Sequence, residues 1–528
     1  MARKALILTL ALALLLSSGA LAVDYDTSKG YPVVEEPVTF NILARQHMFH
    51  VDWSEMDLWK DYEEMTGIHI EWTLVPTESF SEKRNLLLAA NELPDAIMIA
   101  GLSNAQLVQY GEDGLFADFA PLLEHMPHLS KALEKYPQVK AGITMPNGAI
   151  YGLPGIFDSE FKSLIVSGGL YIQKSYLENL NMEIPKTVDE FTDFLLAVAR
   201  EDADGDGDPT NEVGYANPLT SGTGALSDAV SRLFGAYGLG TLGTSKHASL
   251  QLNEDGSLSF LPATDRYKEV LQKVHEWYEA GVFAPDVLTM DSAATYALCA
   301  ENRAAVAATL SATNFTNTPE DYIGMEALEG PYGDKQVCWQ NMNLANVGTF
   351  VITADCEQPE LLASWIDWFY SDDGSIKFFM GTEGETFDIV DGEYIYQDWV
   401  TNSPDGRSMD EIIGTFSCYP GGGAPRIVTE SYFSGTQKQP DAMALGELNF
   451  PYLTPDAAPD FTYTLEESQR LTELSDLQTY VANMQIQFVT GQESFDNWDA
   501  YLERLEQLGV KEYMEIEIAA YERYLAAL

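Results

Sequence analysis

Between residues 38 and 101 the apolar positions alternate between the period of a strand and the period of a helix. Residues 38–44 (VTFNILA) form a short apolar run with β-branched character, and residues 53–65 then place Met56, Trp59 and Tyr62 at helical spacing. Thr66-Gly67 ends that helix. Residues 68–75 (IHIEWTLV) alternate as a strand, residues 81–90 read as a helix, and residues 93–100 (LPDAIMIA) form a buried strand closed by Gly101. This β-α-β-α-β order predicts a mostly parallel sheet with a ligand crevice at the C-terminal ends of its strands. The loops at those ends hold Arg45, Gln46 and His47, then Gly101, Leu102 and Ser103. A second register opens at residues 169–172. Thr187 and Glu190 there make a capping box for a helix running to Arg200.

The segment after that helix changes the picture. Residues 202–212 (DADGDGDPTNE) put Asp202, Asp204 and Asp206 at alternate positions of a turning loop, with Gly205 and Gly207 supplying backbone freedom. Calcium takes six to eight hard oxygens at roughly 2.3–2.6 Å, which such a loop can gather. Asp208 is expected to add its carbonyl, with Asn211 and Glu212 closing the cage. An EF-hand loop would carry its bidentate Glu at the twelfth position, where Val213 stands. The loop is therefore not an ordinary EF-hand, and its calcium is expected to be structural.

The amino terminus and the composition bear on compartment and partners. Arg3 and Lys4 precede an apolar run over residues 5–16, and Ala20-Leu21-Ala22 has the small-x-small form of a signal peptidase site. Residues 1–22 are thus expected as a signal peptide and residues 23–35 as a flexible lead-in. No Cys stands near the cleavage site to carry a lipid, so the mature chain is expected in a periplasm or at a cell surface. Without Arg3 and Lys4, 27 basic residues face 81 acidic ones, a net charge of −54. Such a balance excludes nucleic acid as a partner. The four cysteines, Cys299, Cys338, Cys356 and Cys418, are too few for a disulfide scaffold and lack metal spacing. His125 and His128 likewise lack a third ligand and read as surface residues. With 81 acids a carboxylate pair is always available, so none argues for glycoside hydrolysis. G-x-S-x-G, H-E-x-x-H and Walker motifs are missing from the sequence.

The order of the longer motifs resembles a known family. DYEEMTGIHIEW, LPDAIM, DGLFADFAPLL, NGAIYGLPG, GLYIQKSYLENL with IPKTVDEF, the 202–212 loop, ENRAAVAATL, WIDWFYSDDGSIKFFMGTEGETFDIVDGEYIY and LGVKEYMEIEIAAYERYL follow one another over nearly the whole chain. Together they are similar to family 1 extracellular solute-binding proteins of bacterial carbohydrate ABC importers, in the long branch that includes alginate- and oligosaccharide-binding members. The resemblance implies an α/β, type II periplasmic-binding-protein-like fold. Two lobes joined by a hinge, each a mostly parallel sheet flanked by helices, would hold a saccharide between them and present it to a membrane permease. It also implies a monomer, a binding protein rather than an enzyme, and the calcium ligands Asp202, Asp204, Asp206, Asp208, Asn211 and Glu212. Residues 36–150 with 300–345 are expected as one lobe, and 151–299 with 346–528 as the other. A peptide-binding clamp or a sugar sensor would use the same frame.

Sugars pair aromatic rings with polar side chains. On that chemistry, strand-end loops offer Arg45, Gln46, His47, Ser103, Asn314 and Phe315, and the 381–387 stretch offers Glu385 and Phe387. Trp339 and Trp399 lie in polar surroundings and are the stacking candidates. Trp365 or Trp368, both in an apolar helix, is expected in the core.

Overall fold

The structure is a computed structural model that describes residues 23–219, 228–243, 247–314 and 319–528. The signal-peptide segment and Phe315 lie outside the described residues. The first strand-helix units form as the pattern dictates. Val38–Gln46 pairs in parallel with Ile68–Pro76, in register from Val38 opposite Ile68 to Gln46 opposite Pro76, and with Ala96–Met98 on its other side. The helix Asp57–Thr66 between the first two stops at Gly67, whose φ of 75° is the left-handed conformation glycine adopts without strain.

Six strands make this sheet, in the order Ile427–Val428, Leu153–Phe157, Leu344–Ile352, Ala96–Met98, Val38–Gln46, Ile68–Pro76. Leu344–Ile352 runs against both neighbours, and the other pairings are parallel. Alternation along the strands sends Ile42, Ala44, Met98 and Phe350 to one core, shared with Trp53, Trp59 and Trp365. Leu43, Ile97 and Val351 face a second core with Phe80, Leu88 and Leu107. Both faces are covered, which explains the near-continuous apolar run at residues 96–100.

The second sheet has the order Tyr322–Gly324, Gly169–Gln173, Ala304–Thr309, Val213–Tyr215. Gly169–Gln173 is antiparallel to both its neighbours, so this sheet is mixed rather than mostly parallel. Its core includes Tyr171, Phe191, Tyr215, Trp277 and the carboxy-terminal Leu477, Phe488 and Trp498. The expected capping box is present: Glu190 N donates to Thr187 Oγ1, and the Glu190 carboxylate accepts from Thr187 N.

The strand pairing departs from the expected division of segments. Ala304–Thr309, grouped above with residues 36–150, is hydrogen-bonded to Gly169–Gln173 and Val213–Tyr215 instead. Leu153–Phe157 and Leu344–Ile352 both belong to the six-stranded sheet. The chain therefore passes between sheets after Phe157, returns after Gly324 and passes again after Val428. Two of these crossings are laced together: Asn341 N donates to Ile165 O at 2.8 Å and Phe157 N to Asn343 O at 2.9 Å. Residues 23–35 also depart from expectation. Tyr25–Asp26 pairs with Val33–Val34, His125 bonds Tyr25 Oη at 2.9 Å, and His128 donates to Gly30 O at 3.0 Å. The two histidines read as surface residues thus hold this hairpin on the body.

Candidate functional site

The 202–212 loop is built by its own backbone. Asp202 accepts from Gly205 N and Gly207 N, Asp204 from Asp206 N and Asp206 from Asp208 N, so each carboxylate turns the chain that follows it. Oxygens of Asp202, Asp204 and Asp206 come within 4.8 Å of one another. Two further oxygens, Asn211 Oδ1 and Glu212 Oε2, are buried with no hydrogen-bond partner. Buried acceptors left unpaired are costly, and a hard cation would satisfy them. The donor set is all oxygen, as calcium or magnesium requires, with no thiolate or imidazole. Asp208 spends Oδ1 on Thr210 N and Thr210 Oγ1, which leaves its carbonyl for a metal. Behind the loop, Glu212 Oε1 accepts from Ala203 N, and Arg303 Nε donates to Asn211 O at 3.2 Å.

A cavity of about 440 Å³ with a mixed polar and apolar lining opens where the six-stranded sheet meets the crossing segments. That volume lies within the range of small-molecule sites. Gly101, Leu102 and Ser103 line one wall at the end of Ala96–Met98, Leu344 to Val347 line the floor, and Gln340, Asn341 and Met342 enter from the crossing. Pro459 and Asp460 come from the carboxy-terminal half. Ser103, Gln340, Asn341, Asn346 and Asp460 bring hydroxyl, amide and carboxylate side chains to this lining, beside half-buried Phe157. Gln340 Oε1 is buried without a hydrogen-bond partner among the described residues.

Of the ligand-binding candidates drawn from the sequence, Ser103 lines this cavity, beside its loop neighbours Gly101 and Leu102, and caps the helix Asn104–Glu112. Arg45 lies half-buried at the same edge and donates to the carbonyls of Gly421 and Gly422 at 3.3 and 3.1 Å; burial lowers its pKa. Gln46 donates to Val51 O at 3.1 Å. His47 packs edge-on against Phe49, its Nδ1 buried without a partner. A second group collects nearby: Trp399, 41% exposed, donates to the Glu385 carbonyl at 3.1 Å and lies 6.4 Å from the Phe416 ring. Asn314 donates to Thr309 Oγ1 at the end of Ala304–Thr309. Two candidates are corrected. Trp339 is 6% exposed, donates Nε1 to Ser231 O at 2.6 Å and packs against Phe234, so it anchors the core. Phe387 is 3% exposed against Tyr394. Trp365 and Trp368 are both buried in the aromatic core around Tyr62.

The residues missed carried a signal. Gln340, Asn341, Asn343 and Asn346 put four amides into seven positions at the start of the strand Leu344–Ile352. Such a run is poor core material and suits a hydrogen-bonding surface. All four cysteines are buried free thiols, and burial pushes Cys299, Cys338 and Cys356 up to about 12.

This geometry, a cavity at strand ends beside the segments that cross three times between the two sheets, suits a clamp for a solute. The bacterial extracellular solute-binding protein family matches residues 57–384, well over half the chain, and the chain belongs to that family. Along its full length it is 28% identical to the fructooligosaccharide ABC transporter substrate-binding protein FusA of Streptococcus pneumoniae serotype 4, covering 99% of this chain and 98% of that one. The solved structure of FusA in complex with kestose superposes with a TM-score of 0.74 at 25% identity, over 93% of this chain and all of that one. A human-milk-oligosaccharide (HMO) binding, ABC-transporter-associated solute-binding protein from Bifidobacterium longum infantis matches in fold, with a TM-score of 0.77 at 19% identity over 93% and 99% of the two chains. The fold is the two-lobed, periplasmic-binding-protein-like one.

Proposed function

We propose that this chain is the exported substrate-binding protein of an ABC importer, capturing an oligosaccharide between its two sheets and delivering it unaltered to a membrane permease. The observation that carries this reading is the cavity beside the crossings, lined by Ser103, Gln340, Asn341, Asn346 and Asp460 together with Phe157. Sugar hydroxyls accept hydrogen bonds from the amide N–H groups and donate to the amide and carboxylate oxygens, while the C–H face of a sugar packs on a ring. The end-to-end similarity to a fructooligosaccharide-binding relative supports the same class of ligand. Each sheet with its helices acts as one lobe, and ligand contacts to both bias the hinge toward closure. The protein acts as a monomer.

Asp202, Asp204 and Asp206 hold a structural calcium ion, with Asn211, Glu212 and the Asp208 carbonyl completing its shell. Bound there, the ion supplies charge neutralisation for a cluster of carboxylates and fixes the entry into Val213–Tyr215. The loop sits at the N-terminal ends of Val213–Tyr215 and Ala304–Thr309, opposite the ends that face a crevice.

Thermal unfolding of residues 23–528 with kestose, milk oligosaccharides, oligogalacturonates and peptides tests the reading. A ligand that binds only the folded state adds about 2.7 kcal/mol at a hundredfold excess over its Kd. Stabilisation by an oligosaccharide recovered intact is expected. Stabilisation by peptides alone, or shortening of the sugar, would overturn it.

A further inference from the structure

Resting on the oligosaccharide reading above, we infer that the backbone N–H of Gly101 is a ligand hydrogen-bond donor, presented to the cavity by the buried arginine behind it, Arg84. The chain turns sharply after Ala96–Met98. Ile99 has φ 52° and Gly101 φ 60°. A left-handed conformation is unfavourable for a β-branched residue and persists only where its surroundings hold it. Two restraints hold this one. On one side Ala100 N donates to Thr349 O at 3.0 Å and Leu102 N to Gly348 O at 3.5 Å. On the other, Arg84 from the helix Thr77–Ala90 donates Nη1 to both the Ala100 and the Gly101 carbonyls.

Arg84 is an unusual residue to find there. It is 4% exposed, and its remaining donors go to Asn85 Oδ1 at 3.1 and 3.0 Å. No carboxylate among the described residues pairs with it. A buried guanidinium without a counter-charge is expensive, so its carbonyl partners are held firmly and polarised. In a planar trans peptide the N–H points opposite to the C=O. The Ala100–Gly101 peptide, pinned by its oxygen against Arg84, therefore turns the Gly101 N–H away from the arginine and toward the cavity that Gly101 lines. That N–H makes no hydrogen bond to any described residue. Arg84 is thus a positioning residue, and the group it serves is an acceptor oxygen of the ligand, either a hydroxyl or a carboxylate.

Titration of kestose and of trigalacturonate into wild-type protein and into the Arg84→Met and Arg84→Gln variants tests this, alongside hydrogen exchange at residues 99–103. Arg84→Met is expected to weaken whichever saccharide the wild type binds by roughly tenfold, the worth of one hydrogen bond. Arg84→Gln, able to reach one carbonyl, loses less. Exchange at 99–103 should quicken in the free Arg84→Met protein, and saturating sugar should slow it in the wild type. A loss on kestose marks a hydroxyl acceptor, and a loss on trigalacturonate alone marks a carboxylate. Unchanged affinity in a folded Arg84→Met protein, or exchange indifferent to sugar, would overturn the donor role while leaving the oligosaccharide reading intact. A wild-type chain that binds neither saccharide would overturn both.

Discussion

Asn104 and Phe461, 357 positions apart, are joined by a hydrogen bond from Asn104 Nδ2 to the Phe461 carbonyl at 3.3 Å. Asn104 opens the helix behind Ser103, and Phe461 follows Asp460, so the bond ties one wall of the cavity to the other. His247 holds the same segment from the second half, bonding Pro459 O at 2.8 Å and lying against the Phe461 ring at 4.1 Å.

The first prediction concerns this tie. Asn104→Ala removes a donor worth about 1 kcal/mol, and sugar affinity is expected to fall roughly fivefold, chiefly through faster dissociation. Stopped-flow fluorescence with the sugar found by thermal unfolding checks it. An unchanged dissociation rate would mean the tie does not hold the bound state.

Calcium removal separates the two sites. Chelation is expected to lower the Tm, and Asp204→Asn with Asp206→Asn should abolish the response to added calcium. Sugar affinity should stay within about twofold, because the loop lies at the far ends of the strands. Differential scanning calorimetry and titration on the same samples give both quantities.

Protonation of His50 supplies a pH dependence. Its Nε2 donates to Pro420 O at 2.9 Å while Nδ1 accepts from His47 N and Trp53 Nε1, which requires the neutral ring. Burial lowers its pKa from 6.5 to about 4. The unfolded chain therefore takes up a proton over this window that the folded chain refuses. Stability contributed by the neutral ring is present in full above pH 6.5 and is lost as pH falls toward 4, up to about 3 kcal/mol. Tm measured from pH 4 to 7 should rise more steeply in the wild type than in His50→Gln.

The tryptophans distinguish core from rim. Trp339→Ala is expected to cost about 3–5 kcal/mol through the cavity it leaves and the loss of its hydrogen bond to Ser231 O. Trp399→Ala should cost under about 1 kcal/mol, since the ring is 41% exposed. Urea unfolding of both variants checks the contrast.

Legibility followed the physics of each element. The strands and helices of residues 38–101 were readable because period and burial coincide there, and the gathering of Asp202, Asp204 and Asp206 because their spacing is local. The second sheet was not, because Ala304–Thr309 pairs with residues more than a hundred positions earlier, and no local pattern encodes that register. Trp339 misled because polar neighbours in sequence said nothing of Ser231 and Phe234, which enclose it. The amides at 340–346 were visible as composition, but their convergence with Ser103 and Asp460 depends on the crossings. Arg84 gave no signal at all: on the helix Thr77–Ala90, among Glu82, Lys83 and Asn85, it reads as a solvated charge.

The most direct test of the clamp is calorimetric titration of kestose, milk oligosaccharides and oligogalacturonates into the wild-type protein and a Gln340→Leu variant, with the sugar analysed afterwards. The account predicts one-to-one binding of an oligosaccharide that is recovered whole, and at least tenfold weaker binding by the variant at unchanged Tm. Equal affinity in the two proteins, or a sugar cut to shorter products, would contradict it.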